Sequence, residues 1–260
     1  KILFTLAPMA AVIPAFIGWA VVPWGGYIDV GAITLMGQEV VSSGQALVAV
    51  ADVNIGFVYL LAVASIGVYG VILGGWASNN KYSFLGGLRA SAGMISYEIP
   101  LGLALLATLL LAGSFRPSEI VQAQHDGVWF IVAQPLAAVL FYVCVLAEAN
   151  RAPFDNAEAE QELVGGYHTE YSGMKFGMFF QAEYVNLWIA SLLITVLFLG
   201  GYLMPGQALL VEYVGLGGVA LTLIGITMTL LKTMFIAFCF IWIRWTLPRF
   251  KYNQLMNLGW

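Results

Sequence analysis

Six stretches of this chain are apolar for long enough to cross a lipid bilayer: residues 2–22, 55–76, 93–113, 128–147, 182–202 and 219–243. A spanning helix needs about 20 mostly apolar residues. Such runs must form their backbone hydrogen bonds internally once water is excluded, which leaves helices or closed barrels. No period-two alternation marks these runs, so a membrane barrel does not fit. Composition agrees: 61% of residues are hydrophobic and only 9% charged, and mean hydropathy is +0.88. A soluble domain carries about 25% charged residues. The expected fold is all-α, a polytopic transmembrane helix bundle with six spans, forming a single transmembrane domain over 1–260.

The basic residues sort by side. With the N-terminus inside, the inner segments hold Lys1, Lys81, Arg89, Arg151, Lys175, Arg244, Arg249 and Lys251. The outer segments hold only Arg116, and Lys232 falls within a span. That bias sets the orientation and supports the count, because a missed helix would scramble the sorting. Both ends of the chain are then inside. No cleavable signal peptide is visible, and a chain that begins with Lys1 at the edge of a span reads as truncated.

Several spans carry helix-breaking residues. Pro8 and Pro14 fall in the first, Pro100 in the third and Pro135 in the fourth. Each removes a backbone donor, so the prolines are the candidates for kinks around a cavity. Gly67, Gly70, Gly74 and Gly75 in the second span read as a row for close helix packing. Cys144 and Cys239 lie in apolar spans and read as packing residues. His125 and His168 are each isolated, with no second ligand at metal-like spacing. No cysteine framework, glycine-rich dinucleotide turn or histidine pair signals a redox centre in the chain itself.

The inner connection at about 149–180 and its flanks concentrate charge. Glu148, Asp155, Glu158, Glu160, Glu162, Glu170 and Glu183 are seven of the fourteen acidic residues. Glu98, Glu148 and Glu183 come from three spans, and the spacing places all of them in the inner third of the membrane. Ionisable groups inside a bilayer are costly and mark functional sites. Crowded carboxylates perturb one another and exchange protons, as a relay requires. The bland alternative is a set of interfacial carboxylates in contact with water. Arg151, between Glu148 and Asp155, is the expected counter-ion. Lys232 sits mid-span, where snorkelling is hard, so a partner carboxylate or a hydrated cavity is expected. Arg249 and Lys251 read as interfacial anchors.

Three segments carry a resemblance. Ala147-Glu-Ala-Asn-Arg-Ala-Pro-Phe-Asp155, with Glu158-Ala-Glu-Gln-Glu-Leu163 and His168-Thr-Glu-Tyr-Ser-Gly-Met-Lys-Phe176, is similar to the signature of one membrane subunit of respiratory complex I, numbered 1 in mitochondria and lettered H in bacteria. Arg89-Ala-Ser-Ala-Gly-Met-Ile-Ser-Tyr-Glu98 resembles that family's motif at the third span. Arg244-Trp-Thr-Leu-Pro-Arg-Phe-Lys-Tyr-Asn-Gln-Leu-Met256 resembles its C-terminal motif. Asn253 stands where the family commonly has Asp, and the family typically has eight spans.

The resemblance implies a subunit of a proton-translocating NADH:quinone oxidoreductase. Such a subunit joins the membrane arm to the quinone-proximal hydrophilic arm, forms much of the quinone chamber, and carries an acidic channel toward antiporter-like subunits. Carried over, Glu98, Glu148, Glu183 and Lys232 would serve the proton relay. Arg89, Arg151, Asp155, Glu158, Glu160, Glu162, Glu170 and Arg244 would line the quinone chamber or its coupling loop. The first span and the 81–92 connection would help form the quinone path. Quinone would be the substrate, while NAD, FMN and iron–sulfur clusters would reside in partner subunits. No metal and no nucleic acid are implied. The membrane would be a bacterial plasma membrane, with the mitochondrial inner membrane as the alternative. Related hydrogenases and ferredoxin-fed complexes use an equivalent subunit. A stand-alone cation/proton antiporter is the other reading; it would place paired acid and base on broken mid-membrane helices, often with repeat symmetry.

The orientation is open to a direct check. In a variant lacking Cys144 and Cys239, an impermeant thiol reagent applied outside should modify Glu212→Cys and spare Lys251→Cys. The opposite pattern would invert the topology.

Overall fold

The computed structural model describes residues 2–30, 33–35, 38–41, 44–151, 153–155, 165–205 and 218–259. The expected site residues Glu158, Glu160 and Glu162, and the outer position Glu212, lie outside them. Nine α-helices are present among the described residues: α1 (Ile2–Ile17), α2 (Gly56–Ala77), α3 (Lys81–Ala112), α4 (Pro117–Asp126), α5 (Phe130–Ala133), α6 (Pro135–Glu148), α7 (Met174–Phe198), α8 (Gly218–Thr246) and α9 (Tyr252–Gly259). Five are long and apolar enough to cross a membrane, and α6 is a shorter apolar helix. The chain is a helix bundle, as its composition requires.

Boundaries differ from the hydropathy windows. The third span begins at Lys81 rather than 93, so the expected 81–92 connection is helix. Asn80 caps it, its side-chain oxygen accepting from the Tyr82 amide at 3.0 Å. Ser83, Gly86, Gly87 and Ala90 are buried along this early part. Small residues, which lower hydropathy, permit that packing. The fourth span is divided: Gln134 leaves helical geometry and Pro135 starts a new helix, a position proline favours. Pro8, Pro14 and Pro100 remain inside their helices. Four short strands, β1 (Tyr27–Val30), β2 (Ile33–Leu35), β3 (Gln38–Val41) and β4 (Gly44–Leu47), form two antiparallel pairs, β1 with β4 and β2 with β3.

The helices gather around α1, α2, α3, α6 and α7. One end of the bundle collects 48–57 and 113–127. There Arg116 pairs with Asp52 at 3.2 Å and Glu119 at 3.3 Å, and the Ser114 hydroxyl together with Arg116 holds the Glu119 carboxyl below its ordinary range. The other end collects the 78–80 turn, residues 153–155 and 165–173, and the C-terminal segment. Asn80 Nδ2 donates to Glu170 Oε1 at 2.7 Å, and the Phe250 amide donates to the Pro153 carbonyl at 3.0 Å. The segments separated by charge in the sequence therefore meet at opposite ends.

The glycine row on α2 is mostly packing. A Cβ on Gly70 would sit 2.6 Å from the Ala11 backbone nitrogen, and one on Gly75 would sit 2.8 Å from the Ser83 carbonyl. Gly67 has open space beside it. Gly70→Ala should therefore push α1 off α2 and cost about 1–3 kcal/mol through overpacking. Gly67→Ala should leave the melting temperature of the purified complex unchanged or slightly raised. Equal melting temperatures for the two variants would remove this account of the α1–α2 contact.

Candidate functional site

The site begins with a helix that is too short. At 1.5 Å per residue the 14 residues of α6 span about 21 Å, against about 30 Å of hydrocarbon. Its last residue is Glu148, and the polar connection starts there. Asn150 takes a left-handed conformation, φ 48°, which asparagine tolerates. That turn directs Arg151 back into the bundle, where the residue is 5% exposed.

Arg151 meets α7. Its guanidinium lies 3.1 Å from Glu183 Oε2 and 4.5 Å from the centre of the Tyr184 ring. Tyr167 donates its hydroxyl to the other Glu183 oxygen at 3.0 Å. A cavity of about 40 Å³ is lined by Glu148, Glu183, Asn186, Gly67 and Tyr167, among others. That volume can hold water, which needs roughly 10–15 Å³ by the same kind of measure. A second cavity, about 60 Å³ and mainly apolar, shares Glu148, Ala149 and Asn186 with the first and continues among Pro14, Leu60 and Phe141. Glu148 stands at the junction of the two.

Glu98 completes the group. It is near enough to act electrostatically on Glu148, and the Ser65 hydroxyl on α2 donates to its carboxylate. Because α3 starts early, Glu98 lies 17 residues beyond Lys81, about 26 Å along the helix. It faces the middle of α2 through Ser65. Glu183 is likewise nine residues into α7, about 14 Å, rather than at its opening.

Asp155 is buried, 7% exposed, and Arg249 reaches it at 2.9 Å. The sequence suggests Arg249 as an interfacial anchor; it instead ties the C-terminal segment to the connection. Phe154 packs between Tyr97 and Phe250, with ring centres 5.6 Å away in each case, and the Tyr97 hydroxyl donates to the Leu255 carbonyl at 2.8 Å. Tyr171 stacks on Phe4 at 4.0 Å, and burial pushes its phenol up to about 12. Arg89 is half-buried on α3, Glu170 is engaged by Asn80, and Arg244 is exposed in the last turn of α8, where a cation suits the helix dipole. Among the described residues, no group of three or more His, Cys, Asp or Glu could hold a metal.

Lys232 is not brought to the glutamates. Its ammonium donates to the carbonyls of Leu199 at 2.6 Å, Gly201 at 3.0 Å and Leu203 at 2.5 Å, with the Trp129 ring 4.6 Å away. In place of the expected carboxylate or hydrated cavity stand, among the described residues, the C-cap carbonyl of α7 at Leu199 and the carbonyls of Gly201 and Leu203 in the turn beyond it. The Leu199 carbonyl lies at the negative end of the helix dipole. Leu199 is 16 residues beyond Glu183, about 24 Å along that helix.

Sequence reasoning missed Ser65, Tyr167, Tyr184 and Asn186. Asn186 had a signal: it follows Glu183 by three residues, so it shares that face of a helix. Ser65 was a lone hydroxyl in an apolar run.

The family model described as NADH dehydrogenase matches residues 1–260. The chain is 47% identical over 260 residues to an NADH-quinone oxidoreductase H-type subunit of Cytophaga hutchinsonii, covering 100% of this chain and 72% of that one. It is 58% identical over 219 residues to NADH-quinone oxidoreductase subunit 8 of Rhodothermus marinus, covering 82% of this chain and 64% of that one. It is 49% identical over 260 residues to an H-type subunit of the same enzyme from Geobacter metallireducens, covering 100% of this chain and 70% of that one.

The placement of Lys232 makes a clear prediction. Lys232→Met should leave three carbonyls without their donor and destabilise the α7–α8 junction by about 1–3 kcal/mol. The melting temperature of the assembled complex should fall while protons moved per NADH oxidised stay at the wild-type ratio. A changed ratio in complexes of normal stability would return Lys232 to the relay.

Proposed function

The chain belongs to the NADH dehydrogenase family as a membrane subunit of NADH-quinone oxidoreductase, and we propose that its glutamate cluster couples quinone chemistry to proton movement. The observation that carries this reading is Glu148 at the junction of two cavities, with Glu183 lining one of them and Glu98 within electrostatic reach. Carboxylates from α3, α6 and α7 thus form a continuous group inside an apolar bundle, with Arg151 as the fixed positive charge. Such a group titrates as a unit.

The quinone chamber lies at the end of the bundle where the 151–155 segment, the start of α3 and the C-terminal segment converge. Arg89, Arg151, Asp155, Glu170 and Arg244 belong to this end; the proposed coupling-loop residues Glu158, Glu160 and Glu162 lie outside the described residues. The quinone-proximal hydrophilic arm docks on the same surface. Its donors match the acid-rich connection, whose carboxylates outnumber the nearby basic residues. The antiporter-like partners of the membrane arm receive the charge movement. NAD, FMN and iron–sulfur chemistry stays in those other subunits, and the host membrane is a bacterial plasma membrane, in keeping with the bacterial relatives. The stand-alone antiporter reading is weakened by Lys232, which is held by carbonyls rather than paired with a neighbouring acid.

Replacing Glu98, Glu148 or Glu183 by Gln keeps size and hydrogen bonding while removing a titratable site. Quinone-dependent NADH oxidation and proton uptake in reconstituted vesicles should fall together in each variant. Arg151→Ala should be at least as damaging, since removing one partner of a buried pair costs about 3–5 kcal/mol. Near-normal values in all three Gln variants would reduce these glutamates to passive residues.

A further inference from the structure

We propose that Ser65 is a positioning residue for Glu98: one hydroxyl that satisfies this glutamate in both of its protonation states. The inference rests on the coupling role assigned above to the glutamate cluster. Ser65 lies half-buried near the middle of α2. Its oxygen has two partners: the Leu61 carbonyl one turn back, at 2.9 Å, and the Glu98 carboxylate on the facing helix. A hydroxyl carries a single proton and two lone pairs, so it can donate to only one of them at a time.

That limitation yields two complete arrangements. When Glu98 is ionised, the Ser65 proton turns to the carboxylate, and the Leu61 carbonyl keeps its ordinary helical bond. When Glu98 is protonated, its own O–H donates to the Ser65 oxygen, and the Ser65 proton turns back to Leu61. Neither state leaves a buried donor unsatisfied. The rearrangement is one rotation about the Ser65 Cβ–Oγ bond, with no movement of helix or backbone. Back-bonding to the carbonyl four residues earlier is the ordinary resting place of a helical serine. The second acceptor is what distinguishes Ser65 from a bland one. The hydroxyls of Ser78, Ser191, Thr195, Thr229 and Thr233 also bond the carbonyl four residues back. Among the described residues none of these is also given a carboxylate.

The surroundings leave Ser65 a decisive share of the control. From α6 the titratable group acting on Glu98 is Glu148, with the Glu183–Arg151 pair beyond it. The whole of α2 carries no charged residue and no histidine, and neither does α9. On α4, at the far end of α3, Glu119 is engaged by Ser114 and Arg116 and His125 by Asp126. The short 3-10 turn Gly166–His168 packs against α3, but its Tyr167 donates to Glu183 and its His168 ring packs against Phe176. Ser65 is therefore the neutral donor that α2 presents to the glutamate, in a setting where a hydrogen bond to a charged group is worth more than one between neutral groups.

The test uses the assembled complex in vesicles, with Ser65→Ala, Ser65→Thr and Glu98→Gln compared for proton uptake across pH. Ser65→Ala should lower coupled proton uptake several-fold near neutral pH and move the midpoint of its pH profile upward by about one unit, because the ionised carboxylate has lost its donor. Ser65→Thr keeps the hydroxyl and should restore both. A fall in rate for Ser65→Ala with an unmoved midpoint would show a merely structural role and overturn the inference. So would a wild-type profile for Ser65→Ala alongside an impaired Glu98→Gln, which would leave the coupling reading intact. Wild-type behaviour in both variants would remove the coupling reading and this inference with it.

Discussion

The burial of charge in an apolar bundle governs this structure. An isolated ion in such a medium is prohibitively costly, so each must be matched by the chain itself. Three solutions are visible. Arg151 is held between the Glu183 carboxylate and the face of the Tyr184 ring. Asp155 is neutralised by Arg249, brought from a segment about ninety residues away. Lys232 is held, among the described residues, by the C-cap carbonyl of α7 and two carbonyls of the turn beyond it. The third solution answers two needs at once: the carbonyls past the end of α7 gain a donor, and the lysine finds acceptors.

The same constraint explains the architecture around the site. Division at Gln134–Pro135 leaves α6 with 14 residues, and the polar connection begins directly after Glu148. Its first charged residue, Arg151, is buried at once and needs an acid on a neighbouring helix. Glu183 answers from the third turn of α7, and Tyr167 fills the remaining carboxylate oxygen. Glu148 and Glu183 come to line one cavity because a short helix and a long one meet there.

Much of this was legible in the sequence, and the limits have physical causes. Hydropathy windows and charge sorting identified the helix bundle and separated its two ends, because both depend on composition alone. The windows failed at the start of α3, where Ser83, Gly86 and Gly87 lower hydropathy while enabling a close packing that windows do not measure. They also gave no sign of the short strand pairs at 27–47. Charge proximity along the chain suggested Asp155 and Glu148 as partners of Arg151, whereas the fold brings Glu183 to it and sends Arg249 to Asp155. Partners of buried charges are set by tertiary geometry, and a local reading reaches only neighbours. Glu98, Glu148 and Glu183 stood out in the sequence because the cost of a carboxylate in an apolar run is itself a signal. Ser65 was missed because a lone serine in such a run costs little: it can always bond its own helix.

Connectivity carries the argument one step further. The 151–155 segment holds both buried ion pairs, Arg151–Glu183 toward the membrane interior and Asp155–Arg249 toward the inner end. Only three residues separate the two charges, and Phe154 between them is wedged against Tyr97 and Phe250. A segment that short and that tightly packed cannot shift one pair while leaving the other at rest, because packed interiors deform in discrete steps. Moving one elementary charge against 100 mV requires about 2.3 kcal/mol, and each unit by which a coupled group's affinity for protons changes supplies about 1.36 kcal/mol. Displacing a single guanidinium from a buried carboxylate changes local electrostatics by more than that. On the proposed coupling role, the energy needed at the cluster is within reach of a small movement at the inner end.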